Sequence, residues 1–168
     1  MRVLGIDPGI AETGFGVVVV EGPRARPIDH GVLTTSSVQR LEQRVADIHT
    51  RVADLIVRHK PDAVALEDLY IGSNPRTVLS VGHARGAVLS ACGLAGIPAT
   101  GYAPAEIKAT VCGYGRADKR QVQRMVTAIL GMERPPQSDH AADALAVAVC
   151  HAQAVRAAGA AGRVRVVG

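Results

Sequence analysis

Residues 2–9 read RVLGIDPG, an apolar run (Val3, Leu4, Ile6) that ends on Asp7 and turns at once through Pro8 and Gly9. A strand so uniformly apolar is the kind that a sheet buries on both faces. A buried strand has no use for a carboxylate unless something pairs with it. Outward from this strand, Phe15–Val20 reads as a second strand, stopped by Glu21-Gly22-Pro23. A third, around Ile28–Thr35, is more polar and suits a sheet edge. The connections are short, which favours an antiparallel meander.

The period then changes. Leu41, Val45, Ile48, Val52 and Leu55 recur at alternating steps of three and four, an amphipathic helix stopped at Lys60-Pro61. Ala63–Leu66 is again a short buried strand, and it too finishes on acid, Glu67-Asp68. A second helix is expected over 74–96, with Pro75 in its first turn and Gly93 or Gly96 ending it. A fifth strand over Ile97–Tyr102 leads to short helices near 104–111 and 118–130. The last helix starts near Ser138 and runs through HAADALAVAVCHAQAV, leaving 157–168 as a flexible tail behind a single domain over 1–156. The expected fold is therefore α/β. Three antiparallel meander strands and two parallel ones form a mixed five-stranded sheet, with helices on both faces.

Composition bounds the function. A formal charge of +4 makes an acidic partner such as nucleic acid worth considering. Cys92, Cys112 and Cys150 are scattered, which argues for a reduced chain without a disulfide framework or zinc site. Asp7-Pro8-Gly9 interrupts any signal-peptide layout, and no apolar stretch is expected to approach a membrane span. The reading is cytoplasmic.

Two strands end in acid, at Asp7 and Glu67; as parallel neighbours they emerge at one carboxyl edge, where α/β folds place their sites. Either acid alone reads as a cap or a turn residue. A third acid, Asp143, lies a turn inside a helix that is nearly all Ala, Leu and Val, so it needs a partner or a metal. His140 and Asp139 both fall near enough to share its face, Asp139 about 40° away at ~100° per residue. Carboxylates with a His and no thiolate suit a hard divalent cation, Mg²⁺ or Mn²⁺. Two such ions, roughly 4 Å apart, can activate a water and stabilise a leaving oxygen in phosphoryl displacement.

With these residues in view, the chain resembles the RuvC family of Holliday-junction resolvases, in the RNase H-like superfamily. The resemblance rests on GIDPG with TGFG after it, ALEDLY, the HARGAV helix, EIKATVCGYGRADKRQVQRMV and HAADALAVAVCHA. It implies a homodimeric, metal-dependent endonuclease that cuts opposed strands of a four-way DNA junction, leaving 5′-phosphate and 3′-hydroxyl ends, and acts with the junction branch-migration machinery. Carried over by position, Asp7, Glu67, His140 and Asp143 become the catalytic and metal-holding residues, His140 standing where many relatives have an acid. Lys119 and then Lys108 become near-site phosphate contacts, with Arg120 in the same basic cluster and Arg76 on the second helix. Tyr70 is the aromatic expected to stack on an unpaired base. Arg85 is a candidate for the dimer contact, and the small-residue helix over 74–96 for the interface. Competing readings are a non-catalytic junction binder, an actin-like ATPase and an RNA-processing RNase H-like nuclease. The ATPase needs two such domains, and 168 residues supply one.

Overall fold

The computed structural model describes residues 1–68 and 75–161. Five strands, β1 (Arg2–Asp7), β2 (Glu12–Glu21), β3 (Arg24–Thr34), β4 (Ala63–Glu67) and β5 (Ala99–Tyr102), form one sheet in the order β3-β2-β1-β4-β5. β1 pairs antiparallel with β2 and β2 with β3, whereas β1–β4 and β4–β5 are parallel. This is the expected meander plus two parallel strands, with β3 as one edge. β3 begins at Arg24, four residues before the apolar signal at Ile28, because a tight turn at Gly22 (φ +58°) returns the chain straight onto β2.

Among the described residues, five helices cover the sheet: α1 (Leu41–His59), α2 (Pro75–Ala95), α3 (Pro104–Cys112), α4 (Lys119–Ile129) and α5 (Asp139–Ala161). Alternation along each strand divides the core. Leu4, Ile6, Val17, Val64 and Leu66 pack under α1 and α2. Val3, Val18, Ala65 and Tyr102 pack under α3, α4 and α5. α5 continues to Ala161, past the point where the sequence pattern placed the tail.

α5 lies very close to the sheet, and glycines allow it. A Cβ on Gly5 would collide with the Ala144 carbonyl and Ala148, one on Gly14 with the His140 carbonyl, and one on Gly16 with Leu145. The alanines of α5 complete the match, and Ala142, Ala144, Leu145, Ala146, Val147 and Ala148 are fully buried.

Two expectations need correction. In α4 the sequence spacing offers an apolar stripe of Val122, Met125, Val126 and Ile129, but only Val122 and Val126 are buried in the core shared with α5, and Met125 is 39% exposed. The stretch Thr77–Ala95 of α2 is long and apolar enough to cross a membrane by length and composition, with mean hydropathy 1.3. Its Ala, Leu, Val and Gly content has another use here: one side packs on the sheet through Ala84, Ala87, Val88 and Ala91.

The close approach of α5 predicts that Gly5→Ala destabilises the chain by about 2 kcal/mol, since backbone atoms rather than a flexible side chain stand in the way. A lowered urea midpoint with an unchanged slope is the expected result.

Candidate active site

Strand register brings the two terminal acids together. Ile6 is opposite Leu66 in the parallel β1–β4 pair, so Asp7 and Glu67 are the next positions on neighbouring strands. Counting in steps of two from Val3 and Ala65, both side chains leave the sheet on the α5 face. α5 supplies the remaining residues from its first turns. Gly14 lets the His140 backbone seat directly on β2.

His140 is held between two carboxylates: its Nδ1 is 2.7 Å from Asp7 Oδ2 and its Nε2 is 3.3 Å from Glu12 Oε2. Glu12 was missed in the sequence, where it reads as part of a polar turn. The available signal was strand period, because Glu12 lies two residues before Gly14 and so shares its face. Asp139 does not join Asp7. It turns to α4, accepting a hydrogen bond from Gln123 Nε2 at 2.5 Å and facing Lys119 Nζ at 3.4 Å.

Lys119, at the first turn of α4, also lies 3.6 Å from Asp143 Oδ2. Its helix is started by Asp118, whose side chain accepts from the Gln121 amide in a capping box. Lys108 of α3 joins Glu67 and Asp143 around a small cavity of about 30 Å³ closed by Pro104, Ile107, Val122 and Ala146. Arg120 is exposed, and among the described residues it makes no ion pair. Tyr70 and the side chain of Arg76 lie outside the described residues. A groove of about 390 Å³ runs from Gly9 and Glu12 past His140 to Thr77 and Ser80 of α2.

Electrostatics mark Glu67. Burial, followed by the charges of Asp7 and Asp143, raises its carboxyl to about 7 against an ordinary 4.5, although Lys108 and Lys119 oppose the shift. Asp143 is also raised, chiefly by burial, with Lys119 restraining it and Asp7 adding to it. Burial depresses the Lys119 ammonium, but Asp143 and Asp139 outweigh it and the net shift is upward.

Could this donor set take a divalent cation? Among the described residues no three His, Cys, Asp or Glu side chains already close on one metal-sized point. The chemistry of the set nevertheless fits: carboxylate oxygens, one imidazole and no thiolate, with negative charge that Lys108 and Lys119 only partly offset. The Glu67–Asp143 cavity exceeds the ~15 Å³ that one water needs.

A mixed sheet with this strand order, flanked by helices on both faces, is the RNase H-like fold of the junction resolvases. The model of the crossover junction endodeoxyribonuclease RuvC family matches residues 3–151. The RuvC of Syntrophomonas wolfei is 44% identical over 156 residues, 93% of this chain and 91% of that protein. The Thermus thermophilus RuvC in complex with Holliday junction substrate superimposes with a TM-score of 0.89 at 41% identity, covering 94% of this chain and 96% of that one. The yeast mitochondrial Holliday junction resolvase, at 15% identity and a TM-score of 0.65 over 88% of this chain and 76% of that one, shares the fold. The chain belongs to the crossover junction endodeoxyribonuclease RuvC family.

The raised Glu67 carboxyl gives a stability prediction with a definite sign. The folded chain holds a proton that the unfolded chain releases above about pH 4.5, so stability is lost as the pH rises from 4.5 towards 7. The loss is on the order of 2–3 kcal/mol. In chelator at pH 8, Glu67→Gln is expected to be more stable than the parent, with the gap closing near pH 5. Urea melts at both pH values check this, and equal midpoints at pH 8 would remove Glu67 as a source of strain.

Proposed function

We propose that this chain resolves four-way DNA junctions as a divalent-metal-dependent endonuclease, with Asp7, Glu67, His140 and Asp143 as its catalytic and metal-holding residues. The observation that carries the residue assignment is the convergence of Asp7 and Glu67, from adjacent parallel strand ends, with Asp143 close enough to raise Glu67. A protein that only bound DNA would gain nothing from crowding carboxylates where phosphate must approach. Family membership supports the junction as substrate.

Asp7, Glu67, Asp143 and His140 would hold Mg²⁺ or Mn²⁺, two ions by this reading. Bound there, the metal supplies an activated water and a Lewis acid for the phosphoryl group. The chain's own residues do the rest. Lys108 and Lys119, beside Glu67 and Asp143, offset the charge of the scissile phosphate. Asp7 and Glu12 orient the His140 ring from both nitrogens. Water attacks phosphorus, the bond to the 3′ oxygen breaks, and the products are a 5′-phosphate and a 3′-hydroxyl that a ligase can rejoin.

A junction with two-fold symmetry calls for two equivalent sites on a shared axis. α2 offers a surface for that axis: Leu79 is 63% exposed and Leu89 41% exposed, and no atom lies near a Cβ built on Gly86 or Gly93. A homodimer formed through this face, working with a branch-migration complex, completes the reading.

A labelled mobile four-way junction, incubated with Mg²⁺ and separately with Mn²⁺, tests the proposal beside a linear duplex. Ligatable nicks on opposed strands are expected, with Asp7→Asn slowing them by about a thousandfold. Binding without cutting in either metal would support a junction binder, and indifference to the junction would direct attention to RNA.

The dimer reading has its own test. Leu79→Glu combined with Leu89→Glu should sediment as a folded monomer and lose the pairing of the two nicks. An unchanged sedimentation coefficient matching a dimer would place the interface elsewhere.

A further inference from the structure

The sequence offered Arg85 as a dimer contact, but its guanidinium faces inward. Nη1 donates to the Glu67 carbonyl oxygen at 2.9 Å, and Nη2 lies 2.7 Å from Asp68 Oδ1. We infer that Arg85 is a positioning residue for Glu67, tying the carboxyl end of β4 to the middle of α2. This rests on the reading of Glu67 as a catalytic carboxylate.

Three features support it. First, the fork grips two consecutive residues by different groups, a backbone carbonyl and a side-chain carboxylate. A planar guanidinium can meet both at once, which a lysine ammonium cannot do with the same fixed geometry. Second, the Asp68 amide donates to the Tyr102 carbonyl at 2.8 Å, carrying the β4–β5 ladder one residue beyond the Glu67–Tyr102 pair. Third, the Asp68 carboxylate rests over Gly101 of β5, and a Cβ there would collide with Oδ1. The absent side chain therefore makes the seat from which Asp68 meets Arg85.

Strand alternation shows why the arrangement is useful. The Glu67 side chain leaves on the α5 face, whereas Asp68 and α2 lie on the other. Arg85 thus holds Glu67 through its backbone from behind and leaves both carboxylate oxygens free. Asp7 and Asp143 repel that carboxylate at the last residue of a five-residue strand. An anchor on the far face resists the displacement without neutralising the site.

The test compares Arg85→Ala, Arg85→Lys and Gly101→Ala with the parent. Single-turnover junction cleavage, junction affinity in chelator and hydrogen exchange at the Asp68 amide are measured for each. Arg85→Ala should slow cleavage by about a hundredfold, as a misplaced catalytic group does, with junction affinity unchanged. Exchange at the Asp68 amide should accelerate by about tenfold. Arg85→Lys should recover only part of the rate, and millimolar guanidinium should restore activity to Arg85→Ala alone. Gly101→Ala, which displaces Asp68 from the opposite side, should reproduce the rate loss, and decides the matter if Arg85→Ala does not fold. Unchanged Asp68 exchange would overturn the inference, as would weakened binding with a normal rate at saturation, which would place Arg85 on DNA. If the parent cuts no junction, the functional reading fails, and the exchange measurement still decides whether Arg85 anchors the strand end.

Discussion

Everything at the candidate site depends on how closely α5 lies on β1 and β2. Gly5, Gly14 and Gly16 present bare backbone to the helix, and the helix answers with Ala144, Leu145 and Ala148. Such contact is tolerant of neither an added methyl on the sheet nor a bulkier helix face. The same contact fixes the chemistry. With the His140 carbonyl seated over Gly14, its imidazole reaches Asp7, and Asp143 comes within electrostatic range of Glu67. The core and the site are the two ends of one interface.

That interface holds like charges together at the end of the sheet. The strand ends contribute Asp7 and Glu67, α5 contributes Asp143, and burial makes their repulsion count for more than it would in water. Cations of the chain itself temper it from two sides, Lys108 from α3 and Lys119 from α4. His140, between Asp7 and Glu12, adds an imidazole that meets a carboxylate at each ring nitrogen. The outcome is a site built against its own stability, as is common where function requires concentrated charge.

The sequence made the fold legible because its signals were local and mutually consistent. Short uninterrupted aliphatic runs, one helical stripe and short connections specify the meander, the parallel strands and both helical layers. The acids Asp7, Glu67 and Asp143 were legible because each contradicts its apolar surroundings. Spacing alone could not divide His140 from Asp139, since both lie near the Asp143 face. The structure separates them by neighbours: Asp7 and Glu12 surround one, and Gln123 and Lys119 hold the other. Glu12 escaped notice because a carboxylate in a turn contradicts nothing. Arg85 was misdirected for a related reason, since an arginine among small helical residues reads as surface, and its two acceptors lie 17 and 18 positions back in the chain.

Lys119 shows how these parts act together. Its position near Asp139 and Asp143 gives the chain a cation beside the carboxylates, where a divalent ion would compete with it for them and a phosphate would compete with them for it. Held by its mates on α5 and launched from a capped helix start, it is neither a free surface charge nor a buried pair. Its side chain remains 58% exposed, so moving it towards an approaching phosphate costs little desolvation. The carboxylates it leaves would then bear more uncompensated charge, which favours a metal ion among them.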